Sequence, residues 1–366
     1  MERAFELKKE GRDITFMCVG EPDIPPHPSI SEACERALKD GKTGYTHSLG
    51  IIELREAIAN YYHERYGVLV SPEQIVVSSG TSPLMTLIFS MLVEKGDEVI
   101  LTNPCYACYP NFVNFVEGKI KYFNLNPKGD VSYSKINSII TDRTTTLIIN
   151  SPSNPTGEII EERELEEIAK LPLSIISDEI YHGLCYEGKE ETLLKYRDDA
   201  FIINGFSKSF SMTGWRLGYT IIPERFTRLA RSLHQNLVIC APNFVQWAGI
   251  AALKHYKEIL ASVKGIFSER RSFFLKGLKN LGLEVWGNPR GAFYIMVDFR
   301  FKKKKSLDMA MELLENYDLA VTPGIDFGPK GEGFIRLSYA TSKENIERAL
   351  SKLEKYLKED SGCEGK

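Results

Sequence analysis

A chain of 366 residues, 43% hydrophobic and 26% charged, can bury a large core and divide into two domains of roughly 100–200 residues each. Its net charge of −3 points to no nucleic-acid or anionic-membrane partner, and the one basic block, Lys302 to Lys305, reads as a solvated loop. The longest apolar run, Leu84 to Val93, is interrupted by Thr86 and Ser90 and falls short of the roughly 20 residues of a membrane span. The charged N-terminus has no apolar signal region, and seven dispersed cysteines make no disulfide framework, so a reduced, cytoplasmic protein is expected.

In chain order, residues 1–13 read as a short amphipathic helix, and residues 14–19 as an extended run ending in the turn Gly20-Glu21-Pro22-Asp23. Apolar positions at Ile30, Ala33, Cys34, Ala37 and Leu38 have a helical period. Gly41-Lys42-Thr43 is no phosphate loop, because Arg36 stands where its first glycine belongs and no strand precedes it. Tyr45 to Gly50 forms a loop before a helix over residues 52–62.

From Gln74 onward apolar runs alternate with helical patterns, the rhythm of a wound α/β sheet. Seven strands are expected, at 74–78, 98–102, 119–123, 145–150, 173–177, 201–204 and 218–222, in a mostly parallel sheet with its sites at the strand carboxyl ends. The first end, Ser78-Ser79-Gly80-Thr81-Ser82-Pro83, reads as a helix start with Ser82 or Thr81 as cap and an anion site at Gly80. The second carries Cys105 and Cys108, a C-x-x-C after a strand and hence a redox hypothesis. With no second such pair and no ligand spacing among six histidines, no metal site is expected. Asp178, after the fifth strand, is either a helix cap or a working carboxylate. Lys208 lies among small residues at a strand end, where desolvation can free its amine as a nucleophile. Arg216 nearby suits a dianionic phosphate.

A long helix over residues 256–281, strands at 283–286 and 293–297, and helices at 307–317 and 343–357 then make a smaller α+β domain. Arg336, inside an apolar strand, needs an anion or a structural salt bridge.

Together these stretches resemble the class I/II aminotransferases, pyridoxal-phosphate enzymes of fold type I, in their broad-specificity aspartate, aromatic and alanine subgroup. The strings Asn150-Ser151-Pro152-Ser153-Asn154-Pro155-Thr156-Gly157, Asp178-Glu179-Ile180-Tyr181, Ser207-Lys208 with Arg216, and Phe334-Ile335-Arg336-Leu337-Ser338 occur in the family's order and span nearly the whole chain. The resemblance implies that Lys208 forms the Schiff base with the cofactor and then carries the Cα proton. Gly80, Thr81, Ser82, Ser207 and Arg216 would bind the phosphate, and Tyr106 would stack on the ring. Asp178 would pair with the ring nitrogen, and Asn154 and Tyr181 would donate to the phenolic oxygen. Arg336 would take the substrate carboxylate, with Asn154 and Gly20 also at the substrate. Tyr45 would reach the phosphate of a partner subunit in a homodimer with shared sites.

The resemblance also implies a large domain over residues 30–265, and a small one from residues 1–29 and 266–366. The expected reaction moves an amino group from an L-amino acid to a 2-oxo acid, with 2-oxoglutarate as the expected acceptor. The alternative is a C–S β-lyase or another enzyme of the same fold. Gly205 departs from the pattern, standing where aspartate-specific members carry a serine. Asp326 either repels acidic side chains or caps a turn.

Overall fold

A computed structural model describes residues 1–127 and 133–361. Its strands are β1 (Thr15–Phe16), β2 (Ile75–Ser78), β3 (Glu98–Asn103), β4 (Lys119–Asn124), β5 (Thr144–Asn150), β6 (Ser174–Asp178), β7 (Phe201–Gly205), β8 (Gly218–Ile221), β9 (Tyr294–Asp298), β10 (Leu319–Ala320), β11 (Thr322–Pro323) and β12 (Phe334–Ser338). Seven of them form one sheet in the order β2-β8-β7-β6-β5-β3-β4. The pairs from β4 through β7 are parallel; only β8 runs against its neighbours, β7 and β2. The chain is thus an α/β protein with a mostly parallel seven-stranded sheet.

Both faces of this sheet are buried except at its edge strand β4, which is why the inner strands read as continuous apolar runs. Val77, Ile100, Leu147, Ile175 and Ile202 face one apolar cluster, and their neighbours Val76, Leu101, Ile148, Ile176 and Ile203 face the other. Register brings the working ends to one edge. Asn150 lies opposite Asp178, Gly205 opposite Gly218, and Gly218 opposite Ser78.

A second sheet, β11-β12-β9, is antiparallel, with Arg336 opposite Met296 and Ser338 opposite Tyr294. The N-terminal segment joins it from the side. β1 pairs with β10, Met17 donates its N–H to the Ala320 carbonyl, and the Ser338 N–H donates to the Met17 carbonyl. The first helix is shorter than expected, Glu2–Lys9. The strand expected at 283–286 is reduced to a single bridge from Val285 to Val297, because Gly282 and Gly287 on either side take positive φ and turn the chain. Among the described residues no helix is long and apolar enough to cross a membrane.

Candidate active site

Lys208 sits in the loop between β7 and β8, and its amine donates to the Gly20 carbonyl at 2.8 Å. Burial lowers the pKa of this amine to about 8, with the Arg336 charge next in importance and Glu21 and Asp178 opposing. A lysine with that pKa is partly neutral near pH 7 and can act as a base.

Asp178, at the end of β6, is 6% exposed. Tyr109 donates to its Oδ2 at 2.7 Å and the Ile180 N–H to its Oδ1 at 3.2 Å. Burial raises its carboxyl to about 6 against the lowering effect of those bonds and of Lys208. The next helical element is the 3-10 turn Leu193–Lys195, so Asp178 caps no helix. Asn150 ties the neighbouring loop down, donating to the Asp178 carbonyl at 2.9 Å and accepting the Asn154 N–H at 2.7 Å. Tyr181 is buried, with its hydroxyl 3.0 Å from that of Tyr294.

Thr81 caps the helix Ser82–Leu92, with Pro83 in the first turn, and no side chain bonds back to its N-terminus. Gly80 before it has φ +86, and a Cβ there would overlap the Arg216 guanidinium. Arg216 itself has φ +55, an uncommon conformation for any residue but glycine, and Nη1 donates to the Thr213 carbonyl at 3.0 Å. Thr213 in turn hydrogen-bonds Glu21. Gly218 packs so closely that a Cβ would lie 2.8 Å from the Gly80 carbonyl carbon and 2.9 Å from the Thr81 nitrogen. The departure at Gly205 has a similar reason: a Cβ there would meet Gly218 Cα at 3.0 Å and the Leu217 carbonyl at 3.1 Å.

Arg336 is 7% exposed and, among the described residues, has no carboxylate in ion-pair range. Nη1 donates to Asn154 Oδ1 at 2.9 Å, Nη2 to the Cys18 carbonyl at 2.6 Å and to Thr322 Oγ1 at 3.2 Å, while Nε is buried without a partner. Its guanidinium lies between the rings of Tyr294 (4.4 Å) and Phe327 (4.8 Å). The structural salt bridge is not made, and a buried cation so placed is ready for an anion.

These groups surround one cavity of about 290 Å³, lined by Gly20, Thr81, Ser82, Tyr106, Asn154, Asp178, Tyr181, Ser207, Lys208, Arg216 and Arg336 among others. Gly80 stands just behind Arg216. Tyr45 is not brought in; it is 85% exposed on the surface of its own chain. Asp326 is exposed in a short 3-10 turn, Gly324–Phe327, and does not line the cavity. Burial pushes the Cys105 thiol up to about 12, the reverse of what a reactive thiolate needs.

The sequence profile of aminotransferase class I and II matches residues 12–353. The chain belongs to this family. It is 40% identical over 362 residues to a (5-formylfuran-3-yl)methyl phosphate transaminase of Methanocaldococcus jannaschii, covering 97% of this chain and 94% of that one. A probable aspartate/prephenate aminotransferase of Aquifex aeolicus is 38% identical over 374 residues, 98% of this chain and 94% of the relative. Among solved structures, Thermus thermophilus aspartate aminotransferase with maleate superposes with a TM-score of 0.93 at 34% identity, covering 97% and 94% of the two chains.

Aminotransferases of this family depend on pyridoxal phosphate, and the residues present fit that group. A glycine turn at a helix start, closed on an arginine, would suit the phosphate. A buried carboxylate would suit the ring, and a desolvated amine the aldehyde. Two residues of this aminotransferase site carry no signal in sequence. Tyr109 and Tyr294 read as core aromatics, yet Tyr109 donates to Asp178 and Tyr294 meets both Tyr181 and Arg336. Their partners come from elements far away in sequence, so no local motif announces them. The spacing Tyr106-x-x-Tyr109 is the one available hint, since it sets the two rings edge-to-face at 5.3 Å.

Proposed function

We propose that this aminotransferase transfers the amino group of an L-amino acid to a 2-oxo acid, with 2-oxoglutarate as acceptor and Lys208 as both cofactor anchor and proton carrier. The observation that carries the reading is the convergence of Lys208, Asp178, Arg216 and Arg336 on one cavity, the lysine with a depressed pKa and Arg336 without a carboxylate. Pyridoxal phosphate, when bound, supplies an electron sink conjugated to the substrate Cα.

Gly80, Thr81, Ser82, Ser207 and Arg216 would hold the phosphate, Tyr106 the ring face, and Asp178 the ring nitrogen. Asn154 and Tyr181 would hold the phenolic oxygen. A cationic ring nitrogen beside Asp178 would draw its pKa down from about 6, so the carboxylate would be ionised at neutral pH and would favour the protonated ring. Arg336 takes the α-carboxylate in its two-pronged grip, displacing no existing anion. Lys208 Nζ, already desolvated and freed from the cofactor once substrate takes its place, would take the proton from Cα and deliver it to the carbon derived from the cofactor's aldehyde. Gly20 lends its backbone to the site, its carbonyl accepting from the Lys208 amine at 2.8 Å.

We further read residues 30–265 as a large domain, and 1–29 with 266–366 as a small one, so that the cavity lies between them. The stitching of Met17 to Ala320 and Ser338 supports that grouping.

The test is the visible absorption spectrum of the holoenzyme with glutamate, aspartate, alanine or phenylalanine added singly. Bleaching of the band without 2-oxo acid acceptor, and its return on adding 2-oxoglutarate, is the expected outcome and names the donor. Release of pyruvate and ammonia from an added S-substituted cysteine, its thiol leaving as the Cβ–S bond breaks and the band not bleaching, would instead make the chain a lyase. Lys208→Ala is expected to abolish turnover by about 10⁴-fold or more.

A further inference from the structure

We infer that Tyr294 is a positioning residue that couples the Tyr181 hydroxyl to the substrate-binding Arg336, and that its hydroxyl and its ring do separate jobs. The inference rests on the role proposed above for Tyr181.

Tyr294 leaves β9 diagonally across from Arg336 on β12, since Arg336 pairs with Met296 and Ser338 with Tyr294. Residues in that relation share a face of the sheet. The Tyr294 ring lies flat enough under the guanidinium to hold it at 4.4 Å, and Phe327 holds the other face at 4.8 Å. The plane of Arg336 is fixed by its three hydrogen bonds from Nη1 and Nη2 together with these two rings, Nε being unpartnered.

The hydroxyl points the other way. It lies 3.0 Å from the Tyr181 hydroxyl, and both residues are 4% exposed or less. It also fills the space a Cβ at Gly20 would take, so the turn that accepts the Lys208 amine is a glycine because Tyr294 is there.

Each hydroxyl has one proton to donate. If the Tyr181 proton is directed at the phenolic oxygen, the bond between the tyrosines must use the proton of Tyr294. That donation polarises the Tyr181 O–H and strengthens its bond to an anionic oxygen. Weakening a donor to that oxygen raises the proton affinity of the group conjugated with it. The pH at which the visible band of the substrate-free holoenzyme changes therefore reports the strength of the Tyr181 bond.

The experiment is a spectrophotometric pH titration of four holoenzymes: wild type, Tyr181→Phe, Tyr294→Phe and the double variant. The expected result is a midpoint raised by Tyr181→Phe and raised less, about threefold to tenfold in the equilibrium constant, by Tyr294→Phe. In the double variant Tyr294→Phe should add nothing further. The ring is retained in Tyr294→Phe, so KM for the amino donor should stay within about twofold, whereas Tyr294→Leu should raise KM about tenfold.

A midpoint raised by Tyr181→Phe and unmoved by Tyr294→Phe would overturn the inference while leaving the role of Tyr181 standing. A midpoint unmoved by Tyr181→Phe would remove that role, and the inference with it. An equal shift from Tyr294→Phe in both backgrounds would show that the two hydroxyls act independently, which also overturns it. Should Tyr294→Leu fail to fold, the Phe series still decides the matter.

Discussion

Asp178 and Gly218 show how single atoms set the chemistry. Burial pushes the Asp178 carboxyl up to about 6, and the bond from Tyr109 is the largest of the effects that resist the push, ahead of the Ile180 N–H and Lys208. Replacing Tyr109 by Phe removes a donor to the ionised form, so the pKa rises further and a larger fraction is protonated at a given pH. The acid limb of the kcat/KM profile should move to higher pH in Tyr109→Phe, by up to about one pH unit, with the alkaline limb unmoved. Gly218 acts by absence. A methyl group there would press on the backbone of Gly80 and Thr81, which cannot swing aside as a side chain does. Gly218→Ala should displace the turn from Arg216 and weaken pyridoxal phosphate binding by about tenfold to a hundredfold, an overpacking cost of about 1–3 kcal/mol read by cofactor titration of the apoprotein. Residues such as Asp178, Lys208 and Arg336 were legible in sequence because each lies in a continuous motif. The close approach of Gly218 to Gly80, and the reach of Tyr109 and Tyr294, were not. They depend on which strands become neighbours, and residue spacing along the chain holds no record of that.

The loop after β6 is held as a unit by a second acid, Glu179, which is 1% exposed. Ser177, Thr192 and the Leu193 N–H all donate to its Oε1, at 3.1, 3.0 and 3.1 Å. His182 lies 3.6 Å from Oε2, and burial lowers that imidazole to about 4. Burial raises Glu179 itself from the ordinary 4.5 to about 8. At Glu179 the folded state thus holds up to one more proton than the unfolded chain between those two values. The stabilisation is complete below about pH 4.5 and is lost as pH rises through about 8. Glu179→Gln keeps an acceptor for the three donors and removes the titration. It should flatten the fall of Tm between pH 5 and about 8, measured by thermal unfolding of both proteins in matched buffers. At this scale the fold was largely readable: the seven strands and their mostly parallel arrangement follow from apolar runs alternating with helices. The failure at 283–286 is instructive. Leu283, Val285 and Trp286 have strand-forming side chains, but the positive-φ glycines on both sides leave room for a single bridge.

The whole molecule has an apolar surface that one chain does not cover. Tyr45 is 85% exposed, and Leu237 and Ile239 are 63% and 51% exposed. The loop carrying Tyr45 is fastened to the helix Asn243–Lys254 that follows Ile239, Asn243 donating to the Gly44 carbonyl and Gln246 to Thr46 Oγ1, both at 3.2 Å. Ile239 is also held at φ +74, a strained conformation for a β-branched residue. We propose that a second copy of the chain covers this surface, and that Tyr45 then reaches the partner's phosphate turn. This makes a prediction that a tyrosine packed on its own chain cannot satisfy. Lys208→Ala and Tyr45→Ala homodimers are each defective at both sites. In a mixed dimer, the site containing Lys208 receives its Tyr45 from the Lys208→Ala subunit and is whole, while the other site lacks both groups. An equimolar mixture refolded or exchanged to equilibrium holds about half mixed dimers with one whole site each, so activity should recover to about a quarter of wild type at limiting cofactor. If Tyr45 served its own chain, every site in the mixture would lack one group or the other. Activity would then stay at the average of the two parents.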